Sequence, residues 1–268
     1  MFSYKIFLRG ARADGDSGRI SYSDPHTSFT FTSLARSTIV VDGSNSSINR
    51  QFSCLVNGGD MFEGALVTTD PSRPLYKGVN TVRYSVAMPE GVLLADIVDS
   101  DQPHNLDWPF YPPGKAQTNL TDFQAATLVS DQPGACYNVP FNLTGASSDG
   151  PLTFQYPVGK YMVRRTIAGG EPKQLVLGTA YGTWDGIPIP FSVLRKQAMK
   201  RSINIEFYEA FDKDPTLKDV TYTDQGGKLV VTLNFVSGAT KSFAFVAPQL
   251  AAGKLVPPDK VKYISEVQ

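Results

Sequence analysis

Two histidines, His26 and His104, and two cysteines, Cys54 and Cys136, are all the imidazole and thiol chemistry that 268 residues supply. No two of the four are close in sequence. Structural zinc sites take closely spaced Cys and His pairs, so none is expected. Nucleophilic catalysis sets a Ser or Cys beside a base, most often His, and so few histidines leave few pairings. Carboxylates are plentiful, with 25 Asp and Glu residues, and two suffice for glycoside hydrolysis. Trp108, Phe110, Tyr111 and Trp184 are large rings of the kind that stack on sugar faces or fill subunit contacts. The residue types thus allow two roles: carboxylate and aromatic work on a carbohydrate, or contact through surfaces without chemistry.

Gly15-Asp16-Ser17-Gly18 resembles the nucleophile motif of chymotrypsin-like serine proteases. That family continues with another Gly, where this chain has Arg19, and it places His and Asp upstream of the serine. Both histidines here lie downstream of Ser17, so the string reads as a turn and a hydrolase ranks last. Asp14-x-Asp16-x-Gly18 opens like a calcium loop. An EF-hand then needs a third oxygen ligand, a Gly and a distal Glu, and Gly18, Arg19 and Pro25 stand at those places. Asp96, Asp99 and Asp101 cluster in sequence, but strand alternation and bends splay such a group. No phosphate-cradling glycine loop occurs. No metal, no cofactor and no catalytic residue is therefore expected.

Charge is balanced, with Lys+Arg 25 and Asp+Glu 25. A nucleic-acid partner calls for a basic excess, so none is expected. Little net charge also means little colloidal repulsion, which suits contact with copies of the same chain. The opening Met1 to Arg9 has too short an apolar stretch for a signal-peptide core. No run approaches the ~20 apolar residues that span a bilayer. The expectation is synthesis in a cytoplasm, no membrane, and free thiols at Cys54 and Cys136. The N-x-S/T triplets at Asn45, Asn119 and Asn142 then carry no sugar.

The elements that must position these residues read as β. Lys228–Val236 and Ala239–Val246 alternate apolar and polar residues on either side of Ser237-Gly238, which predicts a hairpin. Tyr4–Leu8, Phe29–Phe31, Thr38–Val41, Phe52–Val56, Val79–Ala87, Val92–Val98, Leu152–Tyr156, Tyr161–Ile167, Gln174–Leu177 and Ile203–Tyr208 also read as strands. Turn signals such as Asp42-Gly43, Asn57-Gly58-Gly59 and Pro89-Glu90-Gly91 punctuate them. The pattern predicts a mainly β fold: a β-sandwich, jelly roll or barrel with long loops and at most one or two short helices. Ser192–Arg201, behind Pro190, is the best helix candidate and carries Arg195, Lys196, Lys200 and Arg201. Asp122–Ala126 reads as a helical turn. Asp99–Asn119 reads as a long irregular loop, and the tail after Pro248 as an extended arm. Gly145–Pro151 marks a boundary between parts 1–146 and 151–268, with one elaborated β domain as the alternative.

In texture the whole chain is similar to bacteriophage virion structural proteins, such as capsid, collar or tail components. The likeness lies in an unprocessed N-terminus, balanced charge, loop-rich strands, a Pro-rich tail and few reactive residues. It implies a structural, non-enzymatic component of a viral particle, made in a host cytoplasm and located in the virion. Its partners would be copies of itself, as a homo-oligomer, and other virion proteins. Trp108, Phe110, Tyr111, Arg195, Lys196, Lys200 and Arg201 form the candidate contact surface. The alternative is a carbohydrate-binding or carbohydrate-active β protein, with a glycan stacked on Trp108, Phe110, Tyr111 or Trp184.

Overall fold

A computed structural model describes residues 4–47, 51–57, 62–69, 73–128, 136–183, 185–225, 227–246, 250–251, 254–255 and 264–267. Trp184, the Gly58-Gly59 turn, most of the tail after Pro248 and the side chains of Cys54 and Cys136 lie outside the described residues.

Strands β1 (Ile6–Leu8) and β2 (Ala11–Asp14) pair as a hairpin. After the short β3 (Val40–Val41), strands β4 (Gln51–Asn57), β5 (Glu63–Thr69), β6 (Val79–Met88) and β7 (Gly91–Phe110) form an antiparallel meander. Two-residue strands β8 (Gln117–Thr118) and β9 (Gln124–Ala125) follow. Then come β10 (Phe141–Ser148), the hairpin of β11 (Leu152–Val158) and β12 (Tyr161–Ile167), β13 (Lys173–Gly182) and β14 (Ile187–Phe211). A separate sheet holds β15 (Leu217–Asp224), β16 (Lys228–Phe235), β17 (Thr240–Val246) and β20 (Ile264–Val267). The short β18 (Leu250–Ala251) and β19 (Lys254–Leu255) pair with each other. The fold is mainly β and sandwich-like. Two short 3-10 segments, Thr27–Phe31 and Cys136–Asn138, are the helical turns among the described residues. The hairpin expected around Ser237-Gly238 is β16–β17, in the register that the alternation requires.

The spine of the molecule is the pairing of β7 with β14, strands of 20 and 25 residues. Their register shifts on either side of Met199, which sits opposite His104. On one side of this break β14 is flanked by β12, and on the other by β13. Ser192–Arg201, expected as a helix, is therefore the middle of a strand. Neighbours hydrogen-bond to both edges of Ser192–Arg195, and that pairing overrides a local helical preference worth a few tenths of a kcal/mol per residue. The stretch expected as a loop from Asp99 continues in β7 to Phe110 for the same reason. Phe29–Phe31 closes a 3-10 turn rather than a strand, and Asp122–Ala126 holds β9 rather than a helical turn.

Alternation along β7 divides the core. Leu93, Ala95 and Ile97 join Phe207, Phe235, Phe243 and Phe245 between the meander and the four-stranded sheet. Leu94, Val98, Leu106, Trp108 and Phe110 face the other way, toward Phe154, Tyr156, Val163 and the N-terminal hairpin. A third cluster gathers Phe29, Leu34, Tyr111, Phe191 and Val193. Each Val, Leu, Ile or Phe side chain among them, fully buried, contributes about 1.5–3 kcal/mol of transfer free energy.

Candidate functional site

The break in the β7–β14 ladder frees the segment around His104 from regular pairing. Beside it, β3 pairs with β7 through Val40 opposite Asp107 and Val41 opposite Leu106. The chain then turns at Asp42, whose φ is 49°. Asp is among the residues that tolerate this left-handed conformation. The Asp42 amide donates to the Asn105 carbonyl at 2.9 Å, and the Asn105 amide donates to Asp42 Oδ1 at 2.8 Å. These two bonds hold the carboxylate so that Oδ2 lies 2.6 Å from His104 Nδ1.

This geometry sets the tautomer. Nδ1 faces a carboxylate, so it carries the proton, and Nε2 of the neutral ring is left as an acceptor. Only 8% of His104 is exposed, and its buried Nε2 has no hydrogen-bond partner among the described residues. An orphaned buried nitrogen is costly unless something uses it. His104 lines a pocket of about 640 Å³ with Asp42, Asn45, Tyr76, Lys77 and Gln102. The Tyr76 hydroxyl is committed to the Ile39 carbonyl at 3.0 Å, whereas the Lys77 side chain is exposed. A carboxylate-oriented imidazole with an unpartnered nitrogen, in a pocket shared with a lysine, can take a proton from a carbon beside a carboxylate and later return it.

Other charged groups are structural. Arg83 grips Asp96 with Nε and Nη2, both at 2.6 Å, and Trp108 Nε1 donates to Asp96 Oδ2 at 2.8 Å. Arg165 and Glu206 pair in the same interior, and the Tyr208 hydroxyl donates to Asp14 Oδ2 at 2.6 Å. Burial drives Asp14 above the ordinary aspartate range, with the Arg165 charge and the bonds from Tyr208 and Gly15 opposing it. Burial also works on Glu206, but there the charge and hydrogen bonds of Arg165 win and hold it below the ordinary range. Lys173 is lowered to about 8, by burial first and then by Lys196. Its ammonium donates to the Glu171 carbonyl at 3.1 Å.

The residues expected as a contact surface are not together on the outside. Trp108, Phe110 and Tyr111 are buried, with the Phe110 ring 3.7 Å under the Arg165 guanidinium and the Tyr111 hydroxyl on the Leu34 carbonyl. Arg195 makes two 2.8 Å bonds to Asp107, and Lys196 reaches Glu171 and the Ile203 carbonyl. Arg201 bridges Asp99 and Asp224, while Lys200 is exposed. For Arg195 and Lys196 the cause is β14 itself: where a strand is covered on both faces it buries neighbouring residues that a helix would have spread over its surface. Ser17 is buried without a histidine partner, and Asp16 sits among Lys5, Arg12 and Arg36. Asp96 points inward to Arg83 while Asp99 points out to Arg201. Among the described residues no three His, Cys, Asp or Glu side chains converge on a metal-sized space, and no helix is long and apolar enough to cross a membrane. The sequence marked Asp42 only as part of an Asp-Gly turn. Nothing in it links that residue to His104, 62 positions away.

No family model and no curated protein matches the chain. Solved structures do. A heparinase III gene product with methylated lysines superposes with TM-score 0.67 at 11% identity, over 91% of this chain and 35% of that one. The heparan sulfate lyase HepC from Pedobacter heparinus gives TM-score 0.62 at 14% identity, over 95% of this chain and 36% of that one. A further heparinase III gives 0.66 at 10% identity. The chain thus spans about a third of the length of these neighbours. At such identities the likeness is one of fold. It corrects the expectation that this chain is no enzyme, because the fold it takes is one that lyases carry.

Proposed function

We propose that this chain is the β-sandwich part of a carbohydrate-active protein that cleaves an anionic polysaccharide by elimination, with Asp42 and His104 as its proton-transfer pair. The observation that carries this reading is the orphaned Nε2 of a carboxylate-oriented histidine at a pocket. The fold of the heparinases supports it.

In this reading Lys77 pairs with the carboxylate of a uronate, which makes the neighbouring C–H bond more acidic. Nε2 takes that proton as the C–H bond breaks. The electron pair forms a C=C bond, and the C–O bond to the leaving sugar breaks. Asp42 stabilises the imidazolium that results. The proton then passes from Nε2 to the leaving oxygen or to water, which restores the neutral ring. Proton transfer by a positioned side chain contributes about 10²–10⁴-fold.

The test is incubation with heparan sulfate while following ultraviolet absorbance of the unsaturated uronate product. His104→Ala should lose about 10²-fold or more of the rate. Asp42→Asn should lose less, since it removes the orienting charge and leaves the imidazole. A rate indifferent to His104→Ala overturns the assignment. So does a wild-type chain that neither turns over nor shifts the His104 ring resonances when heparan sulfate oligosaccharides are added.

A further inference from the structure

Away from the His104 pocket, the segment from Arg19 to Phe31 presents rings that the core does not use. Tyr22 is 68% exposed and Phe31 is 56% exposed. Their planes lie within 22° of parallel, with centroids 6.4 Å apart. The exposed Arg19 guanidinium lies 4.4 Å from the centre of the Tyr22 ring. Single exposed aromatics are ordinary, but two near-parallel rings capped by a cation are a surface with a direction.

The same segment is held from beneath. Ile20, Phe29 and Thr30 are buried beneath the outward residues. The Thr27 hydroxyl donates to the Ser21 carbonyl, with the Ile20 carbonyl 3.3 Å away, tying the two ends of the loop together. The Thr30 hydroxyl bonds the Thr27 carbonyl at 2.9 Å, and the Thr32 hydroxyl bonds the Phe29 carbonyl at 2.7 Å. The rings are thus set in place before any ligand arrives, which reduces the entropy lost on binding.

The segment is also joined to the pocket. Two residues beyond Phe31, the Ser33 amide donates to Asn45 Oδ1 at 2.8 Å, and the Ser46 amide donates to Ser33 Oγ at 2.8 Å. Asn45 lines the His104 pocket.

We propose that Arg19, Tyr22 and Phe31 form a stacking platform for an anionic sugar chain, continuous with the His104 pocket and gripping the part of the polymer that is not being cleaved. Sugar rings present C–H faces that pack on Tyr22 and Phe31, and Arg19 pairs with a carboxylate or sulfate on the same residue. The occupant follows from this pairing of flat apolar faces with one exposed guanidinium and from the link to Asn45. The proposal rests on the reading of the pocket for its ligand class, but not for its binding test.

The experiment is titration of the wild-type chain and two variants, Tyr22→Ala/Phe31→Ala and Arg19→Gln, with long and short heparan sulfate oligosaccharides and with uncharged dextran. All three substituted side chains are exposed, and circular dichroism checks that each variant is folded. The double variant should bind long oligosaccharides about tenfold more weakly, the worth of two ring contacts. Arg19→Gln should weaken binding of heparan sulfate and leave dextran unaffected. Equal affinity of the double variant and the wild type overturns the platform, as does a wild type that binds no anionic oligosaccharide. A double variant that changes only the sedimentation coefficient assigns the rings to contact between copies and also overturns it. A platform that holds while His104→Ala leaves the rate unchanged removes the pocket reading alone.

Discussion

At the scale of single residues, the interior of this protein holds its charges in close ion pairs. Arg83, Asp96, Arg165 and Glu206 are all buried, and each has an ionic partner within 2.6 Å. Burying one such charge alone would cost several kcal/mol, and only close bidentate geometry offsets this. Asp14 is the exception, because it shares Tyr208 with a second carboxylate, Glu206. Its folded pKa is raised, by burial before all else. A raised carboxyl contributes its full share of stability below the ordinary value of about 3.9, and that share is lost as pH rises through the folded value. Asp14→Asn has no proton to lose. Relative to wild type, it should gain stability as pH rises from about 4 to about 7. Urea unfolding across that range checks the sign, and a constant difference would show that Asp14 keeps its ordinary pKa.

At the scale of elements, the long strands impose close approaches that only glycine meets. Gly91 opens β7, and a Cβ built there would collide with the backbone carbonyl of Tyr208 in β14. The clash is with backbone at the end of the β7–β14 pairing, so no side chain can swing away. Gly91→Ala should cost about 3 kcal/mol. Gly227, ahead of β16, has no atom within 4 Å of its built Cβ. Gly227→Ala should stay within about 0.5 kcal/mol. Chemical denaturation of the two variants makes the comparison, and equal costs would mean that β7 and β14 slide past each other freely. The strands between turn signals were legible because period-two alternation survives wherever one face is solvated, as in β16 and β17. Ser192–Arg201 was not, because its first half, Ser192–Arg195, is paired on both edges and buried on both faces, and such a strand shows no alternation.

At the scale of the whole molecule, the four-stranded sheet is the cover of the meander rather than an appendage. Leu66, Tyr84, Leu93, Ile205 and Phe207 pack against Leu229, Val231, Phe243 and Phe245. A chain that stops after Phe211 would expose that face as one large apolar patch, which soluble monomers rarely carry. It should fail to unfold cooperatively and should aggregate during refolding. Light scattering with tryptophan fluorescence, read on the truncated and the full chain, tests this. A soluble, cooperatively folding fragment would show that the meander is stable without its cover.

The sequence by itself determined the class of fold, the hairpin at Ser237-Gly238 and the scarcity of histidine that makes His104 conspicuous. Each of these follows from residue type and short-range period. Its likeness to virion structural proteins rested on texture, which any loop-rich β chain shares. Only the tertiary structure decided which residues meet. It brought Asp42 to His104 through the pairing of β3 with β7, took Trp108, Phe110 and Tyr111 inside, and left Tyr22 and Phe31 on the surface. The reason is that register across a sheet joins residues tens of positions apart, and no local pattern of types records that distance.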